Sequence, residues 1–119
     1  MSTYLDGFML SVSKRKLAAY RKIAQRAAKV WREYGAIDYR EFVGDQVSVS
    51  GFVAFPKMAK TKPGEAVVFS YAIFKSRKHR DAVNKRIMGD PRIGDLASAC
   101  EKLFDCKRMA YGGFKSMVG

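Results

Sequence analysis

The alternation of apolar and polar residues along the chain predicts four β-strands. Residues 67–74, VVFSYAIF, are apolar at every position but one, and strand side chains alternate between two faces. A strand over residues 65–74 is therefore predicted to be buried on both sides. Alternation also predicts strands at residues 4–12, 36–43 and 107–118, and the mixed character of the second of these suits a sheet edge.

Helical spacing of apolar residues predicts two main helices. Ser13 is a suitable N-cap for the first, and Gly35 follows it where a left-handed C-terminal cap favours a residue without a Cβ. Ser76 is predicted to cap the second, which ends near Gly89 because Pro91 cannot continue it. The apolar face of the first helix is Leu17, Tyr20, Ala24, Ala27, Trp31 and Tyr34.

Two further segments interrupt this pattern. Residues 44–64 are too long for a hairpin loop and contain several glycines and prolines, so they are predicted to be a long loop or insertion. Part of it, residues 52–55, reads as an extra short strand. Residues 96–103 are predicted to form a shorter helical patch before the last strand.

The predicted element order is strand, helix, strand, strand, helix, strand within a single domain of residues 1–119. Right-handed crossovers then give an α+β fold: a ferredoxin-like β-α-β-β-α-β plait with a four-stranded antiparallel sheet in the order 4-1-3-2. Both helices lie on one face and cover it once. The other face, roughly 400 Å² for a sheet about 20 Å square, is predicted to be bare and to pair with a second copy in a homodimer through the sheet faces.

Composition adds a strong positive charge. The 119 residues include 23 Lys and Arg against 11 Asp and Glu, a formal net charge of +12. Residues 13–34 carry eight of the basic side chains and residues 75–92 carry seven, so the excess is concentrated on helices. This pattern suits nucleic acid or another polyanion, or simply a basic surface. No long apolar run or basic leader is evident, which predicts a cytoplasmic protein without a membrane segment.

Few residues suggest redox or metal chemistry. Cys100 and Cys106 are too few for a disulfide framework and are predicted to be reduced. His79 is the only histidine, so no multi-histidine metal site is available, and neither a metal nor a cofactor is predicted. The His79 side chain is interpreted as one that packs against or caps its helix. The alternative interpretation is that it acts as a general base.

Asp6 is the most informative ionisable residue, because it lies among apolar residues of a strand predicted to be central. A buried carboxylate needs a partner, and Arg108 and Arg40 are the candidates. The pair would be structural, or Asp6 would be a ligand-binding acid. Aromatic residues at helix and strand spacing fit either a core or a pocket for a planar ligand: Trp31, Tyr34, Tyr39, Tyr71 and Tyr111.

Several runs of the chain resemble those of the bacterial YbaA-like family. They are YLDGF at residues 4–8, LAAY at 17–20, KVWRE at 29–33, FKSRKHRD at 74–81 and KRMAYGGF at 107–114. The resemblance runs nearly end to end and implies a domain of unknown function of the dimeric α/β-barrel type, hence the same plait and a sheet-to-sheet homodimer. It implies no established activity.

The same resemblance suggests where a site would lie. Relatives in the superfamily include monooxygenases of polyketide quinones, haem-degrading enzymes and stress-response dimers, which work between helices and sheet or at the barrel. A monooxygenase-like activity follows only by that analogy, and no catalytic constellation is recognisable in the residues.

Three hypotheses of function follow from the sequence. The first is a small aromatic molecule bound in a pocket between sheet and helices. The second is a non-specific RNA-binding or polyanion-binding module that uses the basic helix faces, and the third is a structural or stress-associated dimer. The candidate ligand-binding residues are Asp6, Trp31, Tyr39, Arg40, Tyr71, His79, Arg108 and Tyr111.

Overall fold

A computed structural model describes residues 2–119 of the chain. The four strands form one antiparallel sheet, in which the second strand of the chain is followed by the third, the first and the fourth, and this confirms the predicted ferredoxin-like α+β fold. Single 3₁₀ turns lie at residues 14–16 and 106–108. The elements are β1 (Tyr4–Ser13), α1 (Leu17–Glu33), β2 (Asp38–Val43), α2 (Phe55–Met58), β3 (Glu65–Phe74), α3 (Arg77–Met88), α4 (Pro91–Glu101) and β4 (Ala110–Lys115).

The central strands β1 and β3 pair over ten residues, from Tyr4 opposite Phe74 to Ser13 opposite Glu65. Residues that lie opposite each other share a face of the sheet. One face is packed under α1, α3 and α4, and we call the other the far face. The buried residues of the helix-covered face on these two strands are Asp6, Leu10, Val12, Val68, Ser70, Ala72 and Phe74.

The helix ends follow the predicted capping signals in two of three cases. Gly35 has φ +113°, a left-handed conformation that suits glycine after α1. The Ser76 hydroxyl oxygen accepts a hydrogen bond from the His79 backbone N–H at 3.0 Å, so it caps α3 as predicted. Ser13 makes no such bond, and that prediction is wrong. It is the last residue of β1, and the chain turns through one 3₁₀ turn before α1 begins.

Residues 91–108 differ from the prediction. The expected short helical patch is an eleven-residue helix, α4, which starts at Pro91 with the Asp90 carboxylate accepting from the Arg92 backbone N–H at 2.8 Å. Three helices of two turns or more therefore cover the sheet, where two were expected. The last strand begins at Ala110, later than predicted, because Asp105 caps a 3₁₀ turn immediately before it.

Residues 44–64 fold back over one end of the far face. The predicted strand at residues 52–55 is wrong, since the regular element here is the one-turn helix α2. The Ser11 hydroxyl lies 2.8 Å from that of Thr61, and the Phe55 ring packs edge-on against Phe69 with centroids 6.2 Å apart. The sequence predicted a bare far face. Instead, this segment supplies apolar side chains that cover part of it.

The rest of the far face remains open. Phe69 on β3 is 45% exposed and Phe114 on β4 is 61% exposed, and Phe42 on β2 is also exposed. These three residues lie on the same face by the strand register.

Within residues 2–119, no helix combines the length and apolar character needed to cross a bilayer.

Candidate functional site

A cavity of about 260 Å³ lies between the sheet, α1 and α4. We call it the inner cavity. Its walls are mainly apolar, and its residues come from every layer of the fold. They are Phe8, Leu10, Tyr20, Ile23, Ala24, Ala27, Trp31, Tyr39, Glu41, Ser70, Ile93, Leu96, Ala97, Cys100, Glu101, Phe104, Cys106 and Met109.

The inner cavity exists because α1 faces the sheet with small side chains in its middle. Ala24 and Ala27 lie between the two large residues Tyr20 and Trp31, and each alanine presents only a methyl group to the space below. Tyr20 closes one end, where its ring packs edge-on against Phe104 at 5.8 Å. Ile23 lines the cavity as well, and the open space lies beside the two alanines, between Tyr20 and Trp31.

Glu41 is the polar centre of this cavity. Its two carboxylate oxygens accept hydrogen bonds from two phenols: Tyr20 donates to Oε1, and Tyr39 donates to Oε2 at 2.9 Å. The strand register explains the arrangement, because Tyr39 and Glu41 alternate along β2 and so share the helix-covered face, opposite Ala72 and Ser70. An acid in an apolar space is thereby supplied with two donors.

Burial raises the pKa of both phenols in this cluster. The negative charge of Glu41 raises the pKa of Tyr20 and Tyr39 further. Both tyrosines therefore remain protonated and act as donors throughout the physiological pH range. The cluster can hold a negative charge in place and still accept another hydrogen bond, because a carboxylate has more lone pairs than two donors occupy.

Cys100 adds a thiol to the same wall. Burial raises its pKa to about 11, and the nearby Cys106 and Glu41 act in the same direction. Both cysteines are free thiols. Since the thiolate is the nucleophilic form, Cys100 at neutral pH is an apolar wall residue rather than a nucleophile.

The structure brings two of the sequence-predicted site residues into the inner cavity. The rings of Trp31 and Tyr39 lie side by side in its wall, with centroids 5.7 Å apart. Tyr71 and Arg40 lie opposite each other on the far face instead. Tyr71 stacks on Phe42 there, with ring centroids 6.1 Å apart.

Asp6 and Tyr111 belong to a second cluster, centred on Arg80 of α3. Arg80 Nη1 donates to Asp6 Oδ1 at 2.7 Å and to the Tyr111 hydroxyl oxygen at 2.9 Å, and its guanidinium stacks on the Tyr4 ring. The predicted partners of Asp6, Arg108 and Arg40, are both wrong. Those two arginines lie on or near other strands, whereas α3 places the side chains of Arg80 and Asn84 beside the Asp6 carboxylate.

The remaining predicted residues have local partners. Arg108 forms two hydrogen bonds with the Glu65 carboxylate, at 2.9 and 2.7 Å. Arg40 pairs with Asp38 on the same strand at 3.1 Å. His79 Nδ1 accepts a hydrogen bond from the Lys75 backbone N–H at 3.0 Å, so the ring stabilises the chain just before α3 begins. Within residues 2–119, no group of His, Cys, Asp and Glu side chains is arranged to hold a metal ion.

Sequence reasoning missed Tyr20, Glu41 and Cys100 as cavity residues. Tyr20 and Cys100 obey helical periodicity, which indicates only a core position. Glu41 did carry a signal, because an acid on the same strand face as Tyr39 has to meet the helix layer in this fold. Only the position of α1 above β2 shows that a phenol lies there.

Comparison with solved structures supports the fold. A putative antibiotic biosynthesis monooxygenase from Nitrosomonas europaea superposes with a TM-score of 0.63 at 13% identity, covering 97% of this chain and 90% of that one. A mutant form of SnoaB from Streptomyces nogalater, a cofactor-independent oxygenase, gives 0.60 at 13% identity, covering 99% and 94%. A dimeric ferredoxin-like protein from an uncultured marine organism gives 0.51 at 9%, covering 99% and 96%. Identities this low establish a shared fold and no shared activity.

Sequence comparison establishes the family. The chain is 37% identical over 115 residues to the uncharacterized protein YbaA of Escherichia coli strain K12, and the alignment covers 97% of both chains. The model of a family described as a protein of unknown function, DUF1428, matches residues 3–106. The chain therefore belongs to the DUF1428 family, as its resemblance to YbaA-like proteins indicated.

Proposed function

We propose that this protein binds a small hydroxylated aromatic molecule in the inner cavity, between α1, α4 and the sheet. The observation that carries the proposal is the Tyr20–Glu41–Tyr39 cluster, a polar centre inside an otherwise apolar cavity. Ligand sites are typically apolar cavities with a few convergent polar groups. Glu41 is only partly buried on the edge strand β2, and the lone pairs that the two phenols leave free can accept a hydrogen bond from a ligand.

The walls of the cavity favour a flat ligand. The Trp31 and Tyr39 rings form one side, and aromatic pairs gain from offset stacking or edge-to-face contact at centroid distances of about 4.5–7 Å. The volume of about 260 Å³ is slightly below the usual range for ligand pockets, which favours a small ring system. Glu41 would accept a hydrogen bond from a phenolic hydroxyl of the ligand.

A calorimetric titration with 2-naphthol tests this proposal. Ala27→Leu places three additional carbon atoms in the inner cavity, and we expect it to weaken 2-naphthol binding at least tenfold, about 1.4 kcal/mol. Trp31, the single tryptophan, gives a second readout because its emission should change when the ligand binds beside it. Ala19→Leu makes the same chemical change on the exposed side of α1 and should leave binding unchanged. Equal affinities for both variants, or no heat with the wild type, would contradict the proposal.

We also propose that two copies pair through the open part of the far face. The exposed rings of Phe42, Phe69 and Phe114 lie on this face, and large apolar side chains exposed together are typical of an interface. A second copy is the favoured occupant because the patch is formed mainly by strands of one sheet, and two such sheets can pack face to face about 10 Å apart.

Sedimentation at micromolar concentration tests this pairing. We expect the wild type to sediment at twice the 13.4 kDa of the chain. Phe69→Lys should shift it to a single chain, because pairing would bury a charge on a protein that already carries +12. Met88→Lys, at a residue 74% exposed on α3, is the matched control and should remain paired. A wild type that sediments as one chain and retains RNA at moderate salt would instead favour the polyanion hypothesis.

A further inference from the structure

We infer that the ligand of the inner cavity is an aromatic carboxylate, whose acid group reaches Arg21 through a groove on the opposite side of α1. The inference rests on the proposed function and specifies the class of ligand. The groove has a volume of about 520 Å³ and lies between α1 and the edge strand β2. We call it the outer groove.

The inner cavity and the outer groove adjoin each other beneath α1. Four residues line both: Tyr20, Ala24, Tyr39 and Glu41. At Ala24 only a methyl group projects from the helix toward the sheet, so α1 leaves more room at this point than at the large residues on either side. In the inferred complex, a ligand whose ring lies in the inner cavity extends an arm beside Ala24, past Glu41, into the outer groove.

Arg21 and Gln25 lie at the rim of the outer groove, one helical turn apart on α1. Among residues 2–119, neither side chain has a hydrogen-bond or ion-pair partner in the protein. Arg32, further along the same rim, is already engaged, since its Nη2 donates to the Tyr39 carbonyl oxygen at 2.7 Å and lies 3.8 Å from Asp38. The rim therefore has one available guanidinium with an amide donor beside it.

These donors are suited to a carboxylate. A guanidinium presents two parallel N–H groups that match the two oxygens of a carboxylate, and the adjacent amide can add a third hydrogen bond. The net charge of +12 attracts anions to the molecule. Glu41, the acid between the two spaces, is occupied by the Tyr20 and Tyr39 hydroxyls, which reduce its repulsion of a passing anion.

The ligand class follows from the two polar ends of this path. A hydroxylated ring in the inner cavity would donate to Glu41, and a flexible arm of a few atoms would carry a carboxylate to Arg21. A neutral ring alone satisfies only the first of these contacts. The arm therefore distinguishes an aromatic carboxylate from the simple phenols that the proposed function requires.

A series of 2-naphthols with ω-carboxyalkyl arms, together with their methyl esters, tests the inference by calorimetry at low salt. We expect the best acid to bind the wild type about tenfold more tightly than its ester, as a charge-assisted hydrogen bond predicts. Arg21→Gln should abolish this preference. Lys22→Gln removes the same charge from the next residue, which does not line the groove, and should preserve the preference.

The outcomes separate this inference from the proposed function. Equal binding of acids and esters by the wild type would overturn the role of Arg21 while 2-naphthol binding still supported the inner cavity. An equal loss in Arg21→Gln and Lys22→Gln would also overturn it, because the preference would then reflect the overall charge. Failure of 2-naphthol itself to bind would overturn the proposed function, and the inference with it.

Discussion

Replacing Asp6 by alanine is expected to lower the free energy of unfolding by about 3–5 kcal/mol, the usual cost of removing one partner of a buried ion pair. The Asp6 side chain is only 2% exposed, and Arg80 Nη1 lies 2.7 Å from its Oδ1. Without Asp6, the largely buried Arg80 guanidinium would keep its charge but lose its closest acceptor. The measurement is the urea midpoint and slope for wild type and variant at neutral pH.

Asp81 provides a matched control for this prediction. It also accepts from Arg80, at 2.8 Å from Nε, but its side chain is 61% exposed. Exposed ion pairs contribute at most about 1 kcal/mol, so Asp81→Ala should have a much smaller effect on the urea midpoint. Similar decreases of the urea midpoint in the two variants would show that burial does not determine the strength of the Arg80 contacts.

Replacing Glu65 by glutamine is expected to destabilise the protein by about 1.5–3 kcal/mol at neutral pH, the range for hydrogen bonds to a charged group. Glu65 Oε1 and Oε2 accept from Arg108, and Oε1 also accepts from the Lys62 backbone N–H at 2.7 Å. These contacts join the start of β3 to the turn that leads into β4. Removing the charge weakens all of them at once.

The pH dependence of this effect has a definite sign. Hydrogen bonding from Arg108 lowers the pKa of Glu65 to about 2 from its ordinary 4.5. A carboxyl group whose pKa is lower in the folded state contributes stability above its unfolded pKa and loses it as pH falls through the folded pKa. The difference between wild type and Glu65→Gln should therefore be complete above about pH 5 and shrink toward pH 2.

Urea midpoints measured from pH 7 down to pH 2 test this dependence. Glu101→Gln makes the same change at the exposed end of α4 and is the matched control for the loss of one carboxylate. A difference in stability between wild type and Glu65→Gln that stayed constant down to pH 2 would mean that hydrogen bonding from Arg108 does not lower the pKa of Glu65.

Much of the fold was predictable because its signals are local. The strand β3 was predicted at its observed bounds, since its run is apolar on both faces apart from Ser70. Gly35 and Ser76 marked helix ends because backbone conformation and capping depend on only a few neighbouring residues. Predictions failed where a short segment had two possible structures, as at residues 52–55, where no strand forms and a helical turn begins at Phe55.

The candidate site was less predictable, because it depends on contacts between distant segments. Tyr39 and Glu41 could be assigned to one strand face by alternation alone. Whether these two side chains cluster with Tyr20 depends on the height and angle at which α1 crosses β2, which local periodicity does not encode. For the same reason, the need of Asp6 for a partner was evident in the sequence, but its pairing with Arg80 was not.

The sequence by itself determined the elements, their order and the antiparallel sheet, because hydrophobic periodicity and capping act over a few residues. It also determined the basic character of α1 and the scarcity of metal ligands. Only the tertiary structure decided which charges pair, where residues 44–64 lie and that alanines in α1 leave a cavity around Glu41. These features arise from side chains far apart in the chain, whose distances are set when helices pack on the sheet.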